Sequence, residues 1–102
     1  MSSAIIANRA TRDHRHLKVL ASLGVLSHEA GISIRGVDGT YESFVDREMV
    51  NPENNEPLSD EDRPATIEVD LVKVDNGRAL VELPRQVVAG GRRIWVPATE
   101  VQ

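Results

Sequence analysis

The chain contains no cysteine in its 102 residues. Disulfides, zinc ribbons, iron–sulfur clusters and thiol nucleophiles are thereby excluded, and the redox state of its compartment is left open. Aromatics are almost as scarce: Tyr41, Phe44 and Trp95 are the one Tyr, one Phe and one Trp. A core must therefore be built from Val, Leu, Ile and Ala. No run of ~18 uncharged apolar residues exists to cross a membrane as a helix. Gly-rich phosphate loops, a serine nucleophile elbow and a helical zinc motif are also missing. What is present is an ordinary globular composition, 40% hydrophobic and 27% charged, at the length of one domain. A chain this short buries only about two-thirds of its surface, which leaves room for a partner to add stability.

Behind the net charge of −4 lies a marked asymmetry. Residues 1–36 carry five bases (Arg9, Arg12, Arg15, Lys18, Arg35) against Asp13 and Glu29, a net +3. Residues 37–62 carry nine acids against Arg47, a net −8, and residues 63–102 a net +1. A basic head beside an acidic belt fits two arrangements. They neutralise each other within one molecule, or they dock on partners, a second copy included.

Several segments read as elements. Thr11 to about Ala30 predicts a helix: Thr11 is a suitable N-cap, Gly31 a stop, and Leu17, Leu20 and Leu23 fall at three-residue spacing. Gly24 is a weak point in it. Asp38-Gly39 predicts a two-residue hairpin turn pairing Val37 with Thr40, Arg35 with Glu42 and Ile32 with Val45. Ile32, Ile34, Tyr41 and Val45 then share the core face, with an Arg35–Glu42 ion pair outside. Asn76-Gly77 predicts a second hairpin, with Asp75 facing Arg78, and Val72 and Val74 facing Val81 and Ala79. Its apolar phase is odd at Ile67, Val69 and Leu71 but even at Val72 and Val74, which requires a bulge near Leu71. Between the hairpins, residues 51–65 hold three prolines, three asparagines and five acids. This reads as a long exposed loop, either a contact surface or a simple mobile loop. After Pro84, Ala89-Gly90-Gly91 predicts a turn and Arg92 to Val96 a strand closed by Pro97. A secretory leader is not expected: Val19 to Leu26 follows bases, but Asp13 interrupts and no small-x-small site follows.

The stretch GGRRIWVPATEVQ, residues 90–102, resembles the end of Src-homology-3-like barrels. There a turn leads into a strand, then a proline, one tight helical turn and a last short strand. Gly90-Gly91, Ile94-Trp95-Val96, Pro97, Ala98-Thr99-Glu100 and Val101 match those parts in order. The resemblance implies a small barrel. The proline-peptide groove of that superfamily is not implied, because its clustered aromatics are lacking here. The expected fold is α+β: an N-terminal segment and helix over 1–31, then a five-stranded, partly open antiparallel barrel over 32–102 with the acidic loop at 51–65.

For catalysis, His14, His16 and His28 with Asp13 and Glu29 are the candidate bases or ligands. Two-residue spacing parts His14 and His16 on a helix, and Asp60-Glu61-Asp62 lacks the spacing of a calcium loop. No enzyme, cofactor or metal is expected. Nucleic-acid binding has two routes: a helix-turn-helix near Leu26–Val37, or Arg9, Arg12, Arg15 and Lys18 lying on phosphates. The leading expectation is a non-enzymatic assembly or adaptor subunit, cytoplasmic or part of a virion. Its architecture is similar to bacteriophage head–tail connector proteins. Arg9, Arg12, Arg15 and Lys18 are expected to bind, and Glu53, Glu56, Asp60, Glu61 and Asp62 to receive. The partner is a protein or a second copy, with nucleic acid as the alternative and no membrane.

Overall fold

The computed structural model describes residues 13–84 and 93–102. Strands take up 62% of these residues. They are β1 (His14–Leu23), β2 (Glu29–Arg35), β3 (Thr40–Asp46), β4 (Val50–Pro52), β5 (Arg63–Asp75), β6 (Arg78–Glu82) and β7 (Arg93–Pro97). All pair antiparallel in one sheet of order β3-β2-β1-β5-β6-β7, and β4 attaches to β5 beside this path. β5 lies along β1 through its first half and along β6 through its second. The sheet therefore curves into a small half-barrel.

The N-terminal helix is overturned. No helix of seven or more residues occurs among the described residues, and residues 14–23 form a strand. Two periods coexist in this stretch: Leu17, Leu20 and Leu23 suit a helix, whereas Leu17, Val19 and Ala21 alternate as a strand does. The alternating set is the buried one, and Leu20 and Leu23 are exposed. The decision comes from outside the segment, because β5 offers Ala65, Ile67 and Val69 in matching register. A helix-turn-helix over Leu26–Val37 falls for the same reason, since the chain turns there and enters β2. Thr11, the expected cap, and the turn expected at Ala89-Gly90-Gly91 lie outside the described residues.

The first hairpin forms with a shifted register. Arg35 faces Thr40, Ile34 faces Tyr41 and Ile32 faces Ser43, and the Gly36 N–H donates to the Gly39 carbonyl at 2.8 Å. The tip is thus Val37-Asp38 rather than Asp38-Gly39. Each strand keeps its parity, so Ile32, Ile34 and Val45 still face the core with Tyr41 packed against it. The Arg35–Glu42 pairing is lost, and Glu42 faces Ser33.

The second hairpin turns at Asn76-Gly77, both at positive φ (53° and 78°). Asp75 faces Arg78 and Val74 faces Ala79 as expected. The register shifts between Leu71 and Lys73, so the bulge residue is Val72, and Val81 faces Leu71 instead. Strand β7 follows the expected course: Pro97 ends it, Ala98–Glu100 makes one 3-10 turn, and Val101 bridges to Leu17. The N–H groups of His16 and Gln102 each donate to the other's carbonyl, at 3.2 and 2.8 Å.

Among the described residues seven strands replace the five expected, because β1 stands in place of the helix and β4 (Val50–Pro52) runs into the supposed loop. That loop is also anchored. Leu58 packs on the core, and the Leu23 N–H donates to the Ser59 carbonyl at 2.8 Å. Pro64 fits β5 because only β1 borders it there, β4 pairing from Ala65 onward.

Candidate interaction surface

A strand divides what a helix end would have gathered. Arg15 lies in the core-facing phase of β1 and Lys18 in the outward phase, so they occupy opposite faces. Arg15 is held in a two-point ion pair with Asp13, Nε to Oδ1 at 2.6 Å and Nη2 to Oδ2 at 3.2 Å. This hydrogen bond and the nearby negative charge raise the Arg15 pKa above its ordinary value. Lys18 stands on the outer face opposite Thr66. Arg9 and Arg12 lie outside the described residues.

The acidic residues are more coherent. Glu53 starts a 3-10 turn, and Glu56 stands 3.6 Å from Arg63. Ser59 then braces the chain: its Oγ accepts from the Glu61 N–H at 3.2 Å and from Arg63 Nε at 3.1 Å. With Ser59 tied to Leu23, Asp60, Glu61 and Asp62 are exposed beside the end of β1. None of these three, nor Glu53, makes an ion pair among the described residues.

The apolar part of this surface was not anticipated. Val25 is 86% exposed, Phe44 55% and Leu26 52%, and Leu23 is also exposed. Cross-strand register sets Ser22 opposite Gly31 and Gly31 opposite Phe44. With no side chain at Gly31, a groove of about 560 Å³ opens there, lined also by Asp62 and Glu42. A signal was available. Phe44 has the outward parity of a strand whose core face carries Tyr41, Ser43 and Val45.

Elsewhere, charges are paired or dispersed. His14 Nδ1 lies 3.0 Å from Asp70, directly opposite on β5. His28 sits in the β1–β2 turn, at the other end of β1, and its carbonyl accepts from the Arg47 N–H. Among the described residues no three His, Asp or Glu side chains converge as metal ligands, and no helix is long and apolar enough to cross a membrane. On the outside of β7, Trp95 lies beneath Arg78 (4.4 Å to the ring centroid) and Lys73 (5.6 Å).

No family model, curated protein or solved structure matches the chain.

Proposed function

We propose that the chain is a non-catalytic assembly or adaptor subunit that binds a cationic protein surface. The half-barrel is read as a Src-homology-3-like scaffold of the kind that head–tail connectors resemble. One observation carries the reading: exposed Leu23 and Phe44 line one groove with Asp62, the turn that follows Leu23 exposes Val25 and Leu26, and Asp60, Glu61 and Asp62 make no ion pair among the described residues. An apolar centre with a charged rim is the composition of a protein interface. The carboxylates steer a basic partner in, and the apolar side chains hold it. Duplex nucleic acid is repelled by the same carboxylates.

The test is equilibrium binding of a short Arg-rich peptide with apolar residues, and of duplex DNA, at about 0.05 M and about 0.5 M salt, between which the Debye length falls from over 10 Å to roughly 4 Å. The expected result is peptide binding that weakens with salt and is lost in an Asp60→Lys, Glu61→Lys variant. No peptide binding, or DNA binding with a steep salt slope, overturns the proposal.

A further inference from the structure

The outer face of β3-β2-β1-β5 is laid out in rows. Asp62, Ser22, Gly31 and Phe44 form the first, around the groove. Pro64, Leu20, Ser33 and Glu42 form the second. In the third, Lys18 faces Thr66 and Arg35 faces Thr40. The first row thus offers a carboxylate, a vacant floor and an exposed ring, and the third offers two cations. Lys18 and Arg35 make no ion pair among the described residues. Four residues of strand, ~13 Å, separate the two rows, too far for Asp62 and Lys18 of one chain to meet.

We propose that this face is a two-fold interface with a second copy of the chain, in which Lys18 and Arg35 of each copy seat against Asp62 and the Gly31–Phe44 groove of the other. This rests on the assembly reading above and names one partner for it. A two-fold axis running across the strands along the second row reverses strand direction and lays the third row of one copy on the first row of the other. Arg35 then fills the space above Gly31 and meets the face of the Phe44 ring, a cation–π contact. Lys18 meets Asp62, and Leu20, 44% exposed, packs on its counterpart. An axis running along the strands lays the third row, with Lys18 and Arg35, on itself, cation against cation. Charge therefore selects the first arrangement, in which Glu42 of each copy meets its counterpart with Arg35 of both copies alongside.

Light scattering after size-exclusion chromatography tests it, at about 0.05 M and about 0.5 M salt. The wild type is expected as a dimer at low salt and a monomer at high salt. Lys18→Asp and Asp62→Lys should each weaken dimerisation by about tenfold or more, through like-charge juxtaposition. The double variant should restore it, because the swapped charges meet between copies and not within one. Gly31→Val fills the groove; its Cβ meets Ser22 Oγ at 3.4 Å and the Phe44 ring at 3.7 Å, contacts a folded chain accommodates. It should be monomeric at low salt with an unchanged circular dichroism spectrum. A wild-type monomer at low salt, a dimer indifferent to the single changes, a double variant that fails to recover, or an assembly larger than a dimer overturns the interface. Peptide binding that survives any of these results leaves the assembly reading standing, and its loss alone removes that reading.

Discussion

Gly77 shows how much of the structure rests on single backbone positions. At φ 78° it sits in the left-handed region, and a Cβ there meets nothing within 4 Å. Gly77→Ala therefore creates no clash, and its cost is conformational, about 1 kcal/mol. A urea titration should show a lower midpoint with unchanged slope. An unaltered midpoint would mean that the turn is not populated as described. This turn was legible because Asn-Gly is a local instruction. The first hairpin was legible in phase and not in register: Asp38-Gly39 gave a similar instruction, but the tip formed one residue earlier, at Val37-Asp38. There the Val37 N–H reaches the Trp95 carbonyl at 2.9 Å, a contact with a residue 58 positions away that no local pattern reveals.

At the scale of the element, β1 separates local from distant information. Helix and strand readings of the same ten residues differ most clearly at Leu20, which a helix buries with Leu17 and the strand turns outward. In about 0.5 M salt, with self-association suppressed, Leu17→Ala should cost roughly 2–5 kcal/mol of unfolding free energy. Leu20→Ala should stay within about 0.5 kcal/mol. Equal losses at both positions would restore the helix. The bulge at Val72 was readable from an in–out phase that breaks within one strand, a clash between period and pleat that only an extra residue resolves. The site was partly readable. The carboxylates of 53–62 were visible as a charge run. Splitting Arg15 from Lys18 required knowing that β1 is a strand, and the groove required Gly31 and Phe44 to be neighbours across two strands.

On the scale of the whole molecule, β5 joins the two sides of the sheet, with β1 along its first half and β6 along its second. The Val37 to Trp95 hydrogen bond is where the tip of the first hairpin meets β7. If it holds the half-barrel together, the Val37 amide should exchange with solvent more slowly than those of Asp38 and Gly39, although Val37 is itself exposed. Hydrogen exchange followed by NMR checks this, and equal rates for the three amides would mean that the tip swings free.

The reciprocal hydrogen bonds between His16 and Gln102 have a consequence for when the molecule becomes itself. The first described strand is completed on one edge by residues far along the chain, made long after it. Until those residues are made β1 must wait with that edge open, while the local hairpins around residues 36–39 and 76–77 are free to close. Pairings this distant in sequence are slow to find, and an unpaired edge is the part of a nascent chain most prone to join a neighbour. The exposed Arg15, His16 and Lys18 on β1 then serve as gatekeepers, keeping that waiting strand soluble until Val101 arrives.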